Sequence, residues 1–331
     1  MNLGCRLRSA SFSRLKSPML AVLILCSSVC ADSPTDPPKP VRVGDVSLKS
    51  VIDPSACVAK SGAVLVVYNK AHMAGRELLL SRSTDGGKTW SEPRAIPPTT
   101  NSRLTPGSLT TLRDGRILLT WTRTDVKTQR QQMISLSGDE GKTWSEAKPV
   151  GIDLGERGRV RHPLLEISES QWLFPSPEQA IAYDPRTGKL APFASAHKNG
   201  RFPIVRTAKG TLVSGAALRS TDLGKTWEPI KNPAKLNDLL VLDNGWIVAT
   251  ESLGQRFRLV VSRDDGQTWD MDQPLGLYDP GRAIAGGHPR SVQIDKQTLG
   301  TVWFDMNKEQ PGGPGVFFMV MPLAKQQPGN K

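Results

Sequence analysis

The chain has 331 residues, 38% of them hydrophobic, and a formal net charge of +12. That length can bury a full core, which excludes a small fold framed by disulfides. The basic balance favours anionic partners, but the charges are spread over turns with no basic run interleaved with aromatics, which argues against nucleic acid.

Residues 1–31 read as an export leader. Arg6, Arg8, Arg14 and Lys16 precede the apolar run Met19 to Leu25, and Val29-Cys30-Ala31 offers a small-residue cleavage site. The apolar run is too short to cross a bilayer, so no membrane span is expected. Ser28-Val29 ahead of Cys30 is a poor match to a lipidation signal. The expected location is therefore the periplasm or the cell exterior, after cleavage behind Ala31. Loss of the leader's four basic residues lowers the net charge to +8 and leaves Cys57 as the sole cysteine, so no internal disulfide can form. Residues 32–40 form a Pro-rich linker, and residues 324–331 a short polar tail.

From Val41 to Leu323 the chain shows no helical period. It consists of short β-rich runs broken by Gly, Asp and Asn, which is the pattern of an all-β domain. Six runs open with an apolar strand followed by a second one across a tight turn. They begin at Pro54, Pro106, Pro163, Pro203, Asp238 and Pro289. A spacing of about 40 to 50 residues predicts a six-bladed β-propeller of four-stranded antiparallel blades over residues 41–323. Val41 to Leu48 has no blade of its own and is expected to add the outer strand to the sixth blade.

One phrase punctuates these runs. Ser83-Thr84-Asp85-Gly86-Gly87-Lys88-Thr89-Trp90 returns as Ser137 to Trp144, Ser220 to Trp227 and Ser262 to Trp269, with the skeleton S-x-D-x-G-x-T-W. Ser and Asp can bond neighbouring N–H groups in a tight turn, and Gly supplies a positive φ. Thr re-enters a strand, and Trp is expected to bury a large ring against the sheet. Asp85, Trp90, Asp139, Trp144, Asp222, Trp227, Asp264 and Trp269 are thus structural residues. Tyr183 to Gly188 stands where a decayed copy would lie.

The phrase is the Asp-box, and through its four copies the chain resembles the sialidase-like (Asp-box, or BNR-repeat) β-propellers over roughly residues 41–323. The resemblance implies an acidic sugar as ligand, an arginine triad for its carboxylate, a Tyr–Glu nucleophile pair and an Asp acid/base. Little of that set is in place. The first triad arginine belongs to an Arg-Ile-Pro phrase opening blade 1, where this chain has Ile52-Asp53-Pro54. The first B–C loop, Asn69 to Arg76, contains no acid. Asp238 matches the family's Glu, Glu251 falls near the second triad arginine, and His288-Pro289-Arg290-Ser291 replaces the Tyr-Ser pair that opens the last blade. The nearest tyrosine is Tyr278.

In a blade, strands A to D run outward from the axis, so A-strand starts share one face with the B–C loops. That face gathers Arg161, Arg201, Arg290, His162 and His288 as candidate substrate-binding residues, since Arg grips a planar carboxylate with paired hydrogen bonds. Asp238, Glu251 and Asp53 are the candidate catalytic acids, Glu178 and Asp305 are further acids of the same face, and His162 and His288 are possible proton carriers. No cofactor and no metal are expected, because the two histidines are far apart in sequence. A monomer is expected. Two function classes fit: a divergent glycosidase or lyase acting on an acidic glycan or other anionic small ligand, and a non-catalytic carbohydrate- or protein-binding propeller.

Overall fold

In a computed structural model, residues 39–44, 51–72, 75–99, 103–104, 107–124, 130–153, 160–175, 180–193, 202–231, 236–254, 256–282, 284–309 and 312–323 are described. They form six antiparallel sheets in chain order around an axis. Blade 1 holds Val51–Val58, Val64–His72, Gly75–Ser83 and Arg94–Ala95. Blade 2 holds Ser108–Thr111, Ile117–Thr124, Arg130–Ser137 and Lys148–Asp153, with Arg103–Leu104 pairing the end of its second strand. Blade 3 is Leu165–Ser168, Gln171–Pro175, Ala180–Tyr183 and Leu190–Pro192. Blade 4 is Ile204–Arg206, Leu212–Ser214, Leu218–Ser220 and Glu228–Pro229. Blade 5 is Asp238–Val241, Ile247–Ser252, Phe257–Ser262 and Gly276–Tyr278. Blade 6 is Gly286–Asp295, Thr298–Asp305 and Gly315–Pro322.

The ring closes as the sequence predicts. Val41–Arg42 adds the outer strand of blade 6, pairing Val41 with Phe318 and Arg42 with Phe317. The Arg42 guanidinium fastens this clasp by donating to the carbonyls of Gly312, Gly313 and Pro314, and it lies 5.3 Å from the centre of the Phe317 ring. Residues 45–48 of the expected closing segment lie outside the described residues, as do the leader 1–31 and the tail.

The core is six apolar layers, one between each pair of neighbouring blades. Strand periodicity explains why the inner strands read as continuous apolar runs. In Val64–His72, Val64, Val66 and Tyr68 face blade 6, whereas Leu65 and Val67 face blade 2. Both faces of such a strand are covered, so alternation disappears from its sequence.

The four Asp-boxes join the third and fourth strands of blades 1, 2, 4 and 5 and share one geometry. The Ser hydroxyl donates to the Asp at 2.8–2.9 Å and accepts the Gly N–H at 2.7–2.9 Å. The Thr N–H and hydroxyl both donate to the same carboxylate. Those donors hold the Asp139 and Asp222 carboxyls down at about 2. Gly87 shows why the glycine is needed: its φ is +92°, and a Cβ there would run into the Phe318 ring.

Each box locks its blade to the one before. Trp90 meets Phe318 of blade 6 edge-on with centroids 5.1 Å apart, and Glu140 of the second box binds Ser61 and Arg82 of blade 1. Asp265 of the fourth box accepts from Thr211 of blade 4. The expectation of four buried rings needs one correction. Trp269 is buried at 6% exposure, but Trp90, Trp144 and Trp227 are only partly buried, packed at the margins of the layers between blades. Asp184 to Lys189 fills the equivalent turn of blade 3 without the full set of box bonds, as a decayed copy would.

Candidate functional site

The starts of the first strands converge at one end of the axis, and local irregularities aim their side chains inward. The pairing register of blade 1 slips between Ile52 and Ser55, and that of blade 6 between Gly287 and Arg290. Inside these two bulges sit Asp53 and His288, with φ of +48° and +46°. Each precedes a proline, which drives its neighbour toward extended backbone. A left-handed non-glycine residue is uncommon anywhere and costs on the order of 1–3 kcal/mol. Two bulges in neighbouring blades thus present two strained residues to each other.

They meet. Nδ1 of His288 lies 3.3 Å from Oδ1 of Asp53, and Nε of Arg161, from the lead-in to blade 3, lies 4.0 Å from Oδ2. The Asp53 side chain is 6% exposed, whereas those of Arg161 and His288 are 36% and 48% exposed. One buried carboxylate therefore holds two groups that face solvent. The His288 ring stacks on Phe304 at 5.7 Å. Phe304 has room because a Cβ on Gly286 would fall inside its ring.

Behind this surface lies a second, closed group. Arg290 sends Nη1 to within 3.2 Å of Nδ1 of His162 and 3.7 Å of Oδ1 of Asp238, and Nη2 donates to the carbonyl of Arg161. A guanidinium can only donate, so His162 accepts at Nδ1. Asp238 also accepts from the Ser291 N–H at 2.8 Å, and the Ser108 hydroxyl supports the Arg161 carbonyl at 2.7 Å. Burial pushes Asp238 up to about 6 despite Arg290 and the Ser291 N–H. Burial also lowers His288 below an ordinary imidazole; Asp53 opposes this, and Arg161 and Arg290 add to it.

The other candidate acids are engaged elsewhere. Glu251 accepts from Arg258 at 2.6 Å, and Arg258 is fixed in turn to the Met271 carbonyl. Asp305 binds Arg282 at 2.8 Å and caps the N–H groups of Ala285 and Asn307. Tyr278 is in the outer strand of blade 5, its ring 4.6 Å from Trp303 and 5.2 Å from Phe257, in the layer between blades 5 and 6. Arg201 lies outside the described residues, as does Glu178. The structure thus brings together Asp53, Arg161, His162, Asp238, His288 and Arg290. Phe304 and the two bulges were not visible in the sequence, although the repeated X-Pro at strand starts hinted at irregular backbone.

Among the described residues, no three His, Cys, Asp or Glu side chains are arranged as a metal set, and no helix is long and apolar enough to cross a membrane.

Known proteins point to the same architecture. The BNR repeat-like domain family matches residues 47–281. A protein of Bacteroides fragilis (strain YCH46) described as "Sialidase" is 23% identical over 341 aligned positions, covering 79% of this chain and 61% of that protein. The chain thus spans about three fifths of that relative's length. Among solved structures, a protein of unknown function from Dyadobacter fermentans superposes with a TM-score of 0.63 at 17% identity, covering 86% of this chain and 98% of that one. The alpha-L-arabinofuranosidase of Fusarium graminearum with arabinobiose gives 0.63 at 13% identity, covering 86% and 97%. A mutant of NanB sialidase from Streptococcus pneumoniae gives 0.60 at 12%, covering 86% and 70%.

Proposed function

Because the chain belongs to the BNR repeat-like domain family, which matches residues 47–281, we propose that it is an exported sialidase-like propeller. It holds an acidic glycan by its carboxylate at Arg161, and it lacks the sialidase catalytic set. The observation that carries this reading is the state of Arg161. Its carbonyl is fixed by Ser108 and Arg290, while its guanidinium is 36% exposed and, among the described residues, pairs with Asp53 at a long 4.0 Å. A planar cation on a braced backbone, open to solvent at this end of the axis, suits a ligand carboxylate. Arg290 has a different part. It is spent on His162, Asp238 and the Arg161 carbonyl, so it props the site up and adds positive potential from behind.

The loss of the sialidase set is supported by the same geometry. Ile52 stands at the strand start where the resemblance expects an arginine, Glu251 is bound to Arg258, and Tyr278 lies in the wall between blades 5 and 6. Export rests on the character of residues 1–31. The test is calorimetric titration of the purified chain with uronic-acid and sialic-acid oligosaccharides and their carboxyl-reduced counterparts. Binding of the acids but not of the reduced forms, weakened by Arg161→Ala, is expected. Equal affinity for acid and reduced sugar rejects the reading.

A binding module without turnover is favoured by one observation: Asp238, Glu251 and Asp305 each have an arginine partner in the fold. Self-neutralised carboxylates of this kind hold loops and strands. Among the described acids of this face, Asp53 holds the most exposed partners, Arg161 and His288.

A further inference from the structure

We propose that Asp53 and His288 form a proton-transferring pair that removes the hydrogen beside a bound carboxylate, which makes the propeller a β-eliminating lyase of 4-linked uronides. The inference rests on the carboxylate-binding reading of Arg161 and names the chemistry of that site.

Three observations lead to it. First, the pair is built at a cost. Two residues in neighbouring blades adopt left-handed backbone ahead of prolines, and two bulges displace them from the ladder, so that the side chains touch. Strain of this kind persists where the surrounding structure enforces it, and it clusters at functional sites. Second, the pair is oriented. Phe304 fixes the His288 ring from one side and Asp53 occupies Nδ1. A carboxylate only accepts, so Nδ1 carries the proton and Nε2 carries the free lone pair. Third, the charges around His288 are Asp53 of blade 1, Arg161 of blade 3 and Arg290 of its own strand. Burial and the two arginines outweigh Asp53 and keep the ring below its ordinary pKa, so it is a neutral base near pH 7.

The substrate class follows from where the base stands. His288 and Arg161 are held by the two oxygens of one carboxylate, at 3.3 and 4.0 Å. A ligand carboxylate on the open guanidinium therefore brings its own α-carbon beside His288. In a uronate that carbon is C5 and carries a hydrogen, and neutralising the carboxylate acidifies it. In a sialic acid the carboxylate-bearing carbon carries none, so a base at this place has no proton to remove. The step balances without any co-reactant. Nε2 takes the C5 proton, the C5–H electrons form the C4=C5 double bond, and the C4–O bond breaks. The leaving oxygen then receives the proton back from Nε2. His288 ends neutral, and the products are an unsaturated uronide and a free hydroxyl.

The experiment uses the purified full chain with 4-linked polyglucuronate, polygalacturonate and polymannuronate, following binding by calorimetry and the new conjugated double bond by ultraviolet absorbance. At least one polymer is expected to yield the double bond, with an acid limb of the rate profile below about pH 6.5, the ordinary imidazole value. His288→Asn and Asp53→Asn test the pair, since Asn tolerates left-handed backbone. Both are expected to keep the melting temperature and the affinity while losing roughly 100-fold or more in rate. Binding without a double bond overturns the lyase inference and leaves the carboxylate-binding reading standing. New reducing ends without the absorbance indicate hydrolysis and also overturn it, as does a rate unchanged in His288→Asn. Failure to bind any uronide removes the binding reading and this inference together.

Discussion

Nη1 of Arg290 lies 3.2 Å from Nδ1 of His162, a contact that joins blade 6 to blade 3 across the propeller axis. In a six-bladed ring those blades are opposite one another, so this bond ties the two sides of the ring directly together. The same guanidinium neutralises Asp238 of blade 5. Three blades thus depend on one side chain.

Arg290→Ala is expected to cost about 3–5 kcal/mol, because it leaves the Asp238 carboxylate buried without its counter-charge. Adding Asp238→Asn should recover part of that loss. A urea denaturation cycle over the single and double variants measures the coupling, which should lie well above the roughly 0–1 kcal/mol typical of surface pairs. Additive effects would mean that the two groups do not share one environment.

Asp238 should also shape the pH dependence of stability. Its folded pKa, raised by burial to about 6, lies above the ordinary carboxyl value of about 3.9. The folded protein therefore binds this proton more tightly than the unfolded chain does. The contribution is complete below about pH 4 and is lost as the pH rises through about 6. The difference in melting temperature between the native chain and Asp238→Asn is accordingly expected to shift toward the native chain on acidification from pH 7 to pH 4. A flat difference over that range would place the carboxyl in contact with water.

The Asp-boxes should govern stability and leave ligand binding alone. Trp269→Ala removes a ring that is 6% exposed and should cost about 3–5 kcal/mol. Trp144→Ala, at a partly buried ring, should cost less. Ser262→Ala removes the hydroxyl that accepts the buried Gly266 N–H and should cost about 1–2 kcal/mol. Thermal melts rank the three, and titration with an acidic saccharide should give one affinity for all the folded variants.

Much of this was legible in the sequence. Four boxes and six strand pairs are local, periodic features, and each box Trp and Gly acts within its own turn or against the next layer, so pattern alone located them. The site is different in kind. Asp53 and His288 are 235 positions apart and meet only because the ring closes. Arg161 and Arg290 look alike in sequence, as arginines beside an X-Pro strand start, yet one faces solvent and the other is spent on His162 and Asp238. Glu251 reads in the sequence as a catalytic candidate, yet Arg258, its partner on the neighbouring strand, holds it. Partnership across strands decides which charges remain available, and a linear pattern does not encode it.

A fluorogenic α-sialoside should not be turned over at ordinary enzyme rates. The sialidase mechanism needs a nucleophile and an acid/base at the funnel, and loss of either typically removes several orders of magnitude in rate. The tyrosine that follows the fourth box, Tyr278, packs between Phe257 and Trp303, and burial raises its phenol above the ordinary value, which weakens it further as a nucleophile. Its ring would have to leave that layer to reach Asp238 or His288. Tyr278→Phe should therefore keep both the fold and the affinity for acidic saccharides, with at most a small change in melting temperature. The assay compares native chain and Tyr278→Phe between about pH 4 and pH 8, a span that covers the carboxylate and imidazole ranges. Rapid sialoside hydrolysis that disappears in Tyr278→Phe would restore the family mechanism and displace Asp53 and His288 from the centre of the site.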